Sequence, residues 1–200
     1  MGDVGLYTSV TIGADGLGLI SYYDQTNYAL KVAHCNDVAC TSAALNTLDS
    51  TGNVGGHTSV TIGADGLGLI SYSDWTNGDL RVAHCNDVAC TGATLSTVDS
   101  GGGAIVGTYC SITVGQDGLG LISYLDATNL NLKVAHCNDA ACTSAVASTM
   151  EDTADIVGQY TSVTIGSDGL PLISYYRWTG FDLKVAHCAN AFCTPYFRRR

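Results

Sequence analysis

Thr58-Ser59-Val60-Thr61-Ile62-Gly63-Ala64-Asp65-Gly66-Leu67-Gly68-Leu69-Ile70-Ser71-Tyr72, followed by Val82-Ala83-His84-Cys85-Asn86-Asp87-Val88-Ala89-Cys90-Thr91, decides the fold. Both stretches occur letter for letter fifty residues earlier, at Thr8–Tyr22 and Val32–Thr41, and close copies follow from Ser111 and from Ser162. The chain is one unit written four times, and each unit must bury its apolar face against the next. A single array over residues 1–200 follows, with units at 8–57, 58–109, 110–160 and 161–200.

Within a unit the pattern reads as four short strands. Ser9 to Ile12 alternates hydroxyl with β-branched apolar side chains, as a strand with one face on a core should. Asp15-Gly16 then supplies the positive-φ positions of a tight hairpin turn. Leu17 to Tyr23 places Leu19 and Ile20 on opposite faces, so this strand is covered on both sides. Asp24 to Asn27 makes a turn, Leu30 to Cys35 a third strand, and Ser42 to Leu48 a less regular fourth. Met1 to Tyr7 reads as a linker before the first unit.

Asp-Gly falls at 15–16, 65–66, 117–118 and 168–169, spacings of 50, 52 and 51 that suit propeller blades rather than helical repeats. The expected fold is all-β: four consecutive four-stranded antiparallel sheets arranged as blades, in a ring or an open array. The fourth unit reaches Tyr196-Phe197-Arg198-Arg199-Arg200 where its fourth strand should only be starting, so a short outer strand with a charged edge is expected there.

Units of the form Asp-Gly-Leu-x-Leu-Ile-Ser-Tyr-x-Asp, then Leu-Lys-Val-Ala-His-Cys-Asn-Asp-x-x-Cys-Thr, resemble tandem repeats of bacterial secreted proteins taken to be β-propellers and mostly of unassigned function. The resemblance covers essentially the whole chain. It implies fold and export, and brings no catalytic residues.

With 18 acidic against 8 basic residues and a net charge of −10, the surface repels phosphate backbones and anionic lipid. Nucleic-acid partners and membrane insertion are therefore not expected. Met1-Gly2-Asp3 opens without the basic and apolar regions of a secretory leader, so either the leader has been removed or the chain is a recombinant form. An extracellular or cell-surface setting is expected from the cysteines.

Cys35/Cys40, Cys85/Cys90, Cys137/Cys142 and Cys188/Cys193 recur with four residues between them. If those four form a hairpin loop, the two sulfurs meet across it. A metal site is the rival, because His34, His84, His136 and His187 each precede a cysteine. Neighbouring side chains on a strand point to opposite faces, so such a dipeptide cannot easily grip one ion. Cys110 stands where other units have Thr8, Thr58 and Thr161, either as a small buried thiol or as an intermolecular bridge. No metal or other cofactor is expected.

The four histidines share a face with Leu and Val and read as core residues bonded to backbone groups. Asp15, Asp65, Asp117 and Asp168 read as turn residues, with a shared cation at a channel mouth as the minor alternative. Trp75 and Trp178 occupy the second reversal of units two and four. They either stack on a ligand or partner, or fold back onto their own sheet.

No nucleophile–base–acid set is recognisable, so catalysis is not expected. The near-identity of the units, the short last strand and Cys110 point to a non-catalytic secreted structural protein that associates with copies of itself, end to end into a fibre. The alternative is a lectin-like propeller that binds glycans at loop sites repeated per blade.

Overall fold

The computed structural model describes residues 2–151 and 155–194. Four antiparallel sheets follow one another, each with its strands in chain order. The first holds β1 (Val4–Ile12), β2 (Gly18–Asp24), β3 (Ala29–Cys35) and β4 (Ala43–Asp49). The second holds β5 (Val54–Ile62), β6 (Gly68–Asp74), β7 (Asp79–Cys85) and β8 (Ala93–Asp99). The third holds β9 (Thr108–Val114), β10 (Gly120–Asp126), β11 (Asn131–Cys137) and β12 (Ala145–Glu151). The fourth holds β13 (Val157–Ile165), β14 (Pro171–Arg177) and β15 (Asp182–His187), three strands among the described residues. The outer strand and arginine edge expected near Arg198, Arg199 and Arg200 lie outside the described residues.

Two details of the sequence reading change. The first strand begins at Val4, and the supposed linker belongs to it. Its register slips between Leu6 and Ser9, where Tyr7 takes φ 53°, so a bulge interrupts the alternation that marks a strand. The Asp-Gly reversal is wider than a two-residue turn. Gly16 takes φ 80° while Asp15 does not, and the Gly13 N–H donates to Leu17 O at 2.7 Å. Asp15 Oδ1 accepts the Leu17 N–H at 3.0 Å, which leaves Oδ2 for another partner.

The sheets stack face to face as blades, with the inner strands β1, β5, β9 and β13 running side by side. Polar bonds repeat at each joint: the N–H groups of Val60, Ile112 and Val163 donate to Ser9, Ser59 and Ser111 Oγ at 3.1, 3.2 and 3.2 Å. Between blades one and two, Leu19, Leu30 and Val32 pack on Val60, Ile70, Tyr72 and Ala83. Each such side chain contributes about 1.5–3 kcal/mol when fully buried. The next two joints repeat the arrangement around Ile122 and Tyr124, and around Ile173 and Tyr175.

A carboxylate clamps each joint at its outer end. Asp49 accepts from Tyr72 Oη at 2.8 Å and Arg81 Nη1 at 2.6 Å; Asp99 accepts from Tyr124 Oη at 2.6 Å and Lys133 Nζ at 2.5 Å. Glu151 takes the same place for Tyr175 and Lys184. Burial works against the charge of Asp49, yet bonds from Thr51 and Tyr72 and the Arg81 guanidinium outweigh it and hold the carboxyl below its usual range.

The stack is an open arc. Blade one leaves Val10, Ile12 and Leu45 uncovered, and blade four leaves Leu183 and Val185 at 73% and 57% exposure where Leu132 and Val134 are fully buried.

Four disulfides close the outer hairpins: Cys35–Cys40, Cys85–Cys90, Cys137–Cys142 and Cys188–Cys193, with Cα atoms 4.8–4.9 Å apart. The second cysteine of each takes φ near 50°. Bonded sulfurs are in keeping with an oxidising setting. Among the described residues no helix is long and apolar enough to cross a membrane.

Candidate functional site

The bulge of each inner strand turns one ring toward the centre of the arc. Tyr7, His57, Tyr109 and Tyr160 all sit at φ 50–54°, a left-handed conformation that bulky residues rarely adopt. Their ring centroids are 4.4, 4.4 and 4.5 Å apart in sequence order, a continuous tilted stack that takes one member from every blade. With Thr8, Thr58, Cys110 and Thr161 they line a groove of about 250 Å³.

The threonines and Cys110 belong to the frame of this groove. Thr58 Oγ1 donates to Ser21 Oγ at 2.9 Å and Thr161 Oγ1 to Tyr109 O at 2.8 Å, each across a joint. Cys110 makes the same link, its thiol donating to His57 O at 2.9 Å while Ser71 Oγ donates to its sulfur at 3.3 Å. Burial pushes this thiol up to about 12. Cys110 is a free, buried thiol standing in for a threonine.

The tryptophans stand beside the row, Trp75 along its first two rings and Trp178 beyond Tyr176. Trp75 is half-buried, edge-on to Tyr7, Tyr23 and His57 at 5.9, 5.3 and 5.6 Å. It lies on Gly56, where a β-carbon would meet the indole at 2.3 Å, so only glycine admits it. Trp178, 49% exposed, stands edge-on to Tyr176 at 6.1 Å, and Tyr176 in turn lies 6.3 Å from Tyr160. Both tryptophans pack against the sheets, Trp75 on rings of blades one and two and Trp178 on Tyr176 of its own blade.

Burial holds His57 neutral, down to about 4, and raises Tyr109 to about 12 with help from its hydrogen bond to Tyr160. The row itself was not visible as a site in the sequence. Its signal was there: Tyr7, His57, Tyr109 and Tyr160 each stand eight residues before the turn aspartate of their unit.

The repeated histidines do something different from what was expected. Nε2 of His34, His84, His136 and His187 lies 2.7–2.9 Å from Oδ2 of Asp15, Asp65, Asp117 and Asp168, so the partner is the turn carboxylate rather than the backbone. Each pair ties the inner turn of a blade to its third strand. These carboxylates are thereby engaged one by one, and among the described residues no group of three or more His, Cys, Asp or Glu could hold a metal ion.

No family model matches the chain. No curated relative matches it either. Solved structures do. A protein of unknown function from Dyadobacter fermentans DSM 18053 superposes with a TM-score of 0.66 at 14% identity, over 94% of this chain and 61% of that one. The exo-β-1,3-galactanase of Phanerochaete chrysosporium, solved with galactose, gives 0.63 at 12% identity over 97% and 49%. The intramolecular trans-sialidase of Ruminococcus gnavus gives 0.61 at 15% identity over 87% and 40%. The chain thus spans between two fifths and about three fifths of the length of these proteins, and at such identities the likeness shows a shared propeller-like fold.

The expectation of a non-catalytic structural protein that assembles with itself into a fibre is overturned by this result. The solved structures matched include a β-1,3-galactosidase, trans-sialidases and a xylanase, and what this chain shares with them is the fold. The reason for the error is physical: near-identical units and a short last strand describe how blades stack, and say nothing about what the groove between them displays.

Proposed function

We propose that the four units act as one extracellular array that binds a carbohydrate in the groove along its inner strands, without cleaving it. The observation that carries this is the row Tyr7–His57–Tyr109–Tyr160, one ring per blade, held in a costly backbone conformation at four equivalent places. Aromatic rings present an apolar face and a polar edge, which suits the mixed CH and OH surface of a sugar. Trp75 adds a ring beside Tyr7 and His57, and Trp178 one beyond Tyr176. The carbohydrate-active proteins among the structural neighbours support the same ligand class. Hydrolysis needs two carboxyl groups flanking the scissile bond, and the residues lining this groove are aromatic, hydroxyl and thiol side chains.

The test is a titration of neutral oligosaccharides followed by tryptophan fluorescence and calorimetry. Saturable binding is expected, weakened about tenfold by Tyr109→Ala, in line with the 1–3 kcal/mol of one lost stacking partner. No response to any glycan rejects the reading, and release of reducing sugar replaces it with a hydrolase.

A further inference from the structure

Blade two departs from its neighbours around the groove. It alone places a histidine in the row, a glycine beside it at position 56, and Ser73 where the other blades carry Tyr23, Leu125 and Tyr176. These residues touch one another. The His57 ring lies 4.4 Å from both Tyr7 and Tyr109, with Trp75 edge-on at 5.6 Å and Nδ1 at 3.5 Å from Ser73 Oγ.

The contact of Ser73 with His57 Nδ1, at 3.5 Å, bears on which nitrogen carries the hydrogen. A serine hydroxyl has one hydrogen to give, and Ser73 Oγ gives it to Gly107 O at 2.6 Å. Towards His57 it can then only accept, so a hydrogen bond here is made only by the tautomer with the hydrogen on Nδ1 and the lone pair on Nε2, the far nitrogen of the ring. Nε2 has no partner among the described residues, and the ring lines the groove. Of the other polar groups that line the groove, Thr58 is engaged with Ser21, Thr161 with Tyr109 O, Cys110 with His57 O, and Tyr109 with Tyr160.

We propose that Nε2 of His57 accepts a hydrogen bond from a hydroxyl of the bound sugar, and that this one acceptor sets the groove for neutral glycans against acidic ones. The inference rests on the glycan reading above and names the ligand class within it. A sugar hydroxyl has a hydrogen to donate. An ionised carboxylate is acceptor-only, so it would set lone pair against lone pair in a partly dehydrated groove, on a protein of net charge −10. The groups that face the ring are Tyr7 from β1, Tyr109 from β9, and Ser73 and Trp75 from its own blade, with the Cys110 thiol on its carbonyl; none carries a charge at neutral pH. Burial keeps the imidazole neutral down to about pH 4, so the acceptor persists through the ordinary range and is lost only in acid.

The experiment uses the whole chain, with β-1,3-galactotriose and xylotriose as neutral probes and 3′-sialyllactose as the acidic one. Calorimetry at pH 7 is run on the wild type and on His57→Phe, which keeps a ring in the row and removes the nitrogen. Wild type is expected to bind at least one neutral probe about tenfold more tightly than the acidic one, and His57→Phe to lose about that factor for the neutral probe alone. At pH 4 the wild-type preference should shrink, whereas His57→Phe should show no such change. A nitrogen-resolved NMR spectrum of the free protein should place the hydrogen on Nδ1. Neutral and acidic probes bound equally, an unchanged His57→Phe, or a hydrogen on Nε2 overturns this proposal while leaving glycan binding intact. No binding of any probe overturns the glycan reading itself, and this inference with it.

Discussion

Blades one and two contain letter-identical stretches, yet they live in different surroundings. Val10 is 66% exposed and Val60 6%; Cys40 is exposed and Cys90 fully buried; Ile20 is partly covered and Ile70 entirely. The backbone of both blades is the same. What differs is the neighbour: blade two is pressed on Leu19, Leu30 and Val32 of blade one, and blade one has no blade on its own matching face. Burial in this fold is therefore a property of the joint, and equal residues should answer the same substitution unequally.

The largest contrast is expected in the core. Ile70→Ala should cost about 2–5 kcal/mol, while Ile20→Ala should cost well under half of that, read from denaturant midpoints. Equal losses would mean that the joints contribute little. Acid is the next lever. The folded state holds His57 down at about 4 while the unfolded chain protonates it near 6.5, so stability is intact above 6.5 and is lost as pH falls from there to about 4. The loss is on the order of 3 kcal/mol at most, and His57→Tyr should remove that part of the pH profile.

The disulfides sharpen the comparison further. Under mild reductant, alkylation followed by mass spectrometry should find Cys35–Cys40 opened before Cys85–Cys90, because only the first presents an exposed sulfur-bearing residue. Losing the buried bridge should lower stability by about 2 kcal/mol on the chain-entropy account. The smallest effect belongs to Val10→Ala, within about 0.5 kcal/mol, against a clear loss for Val60→Ala in the same assay.

Much of the scaffold could be read from residues alone. The Asp-Gly period fixed the number of blades, and the four-residue gap between cysteines announced the outer hairpins. The groove stayed hidden for a local reason. Tyr7 follows Gly5 and Leu6 in a segment that looks like a connector, and its bulge breaks the alternation by which a strand is recognised. The partners of His34 and its counterparts were missed because a contact nineteen residues away leaves no periodic trace. Trp75 and Trp178 did stand out, yet no periodic pattern tells that Gly56, nineteen residues before Trp75, makes its seat.

The register slip in β1, β5, β9 and β13 separates display from support. Since the backbone, and not the side chain, aims each of the four rings, positions 7, 57, 109 and 160 behave like type set in a fixed line. Blade two already carries histidine where the other three carry tyrosine, on the same bulged strand. A designer who wanted a different sugar would rewrite that line and leave the blades alone.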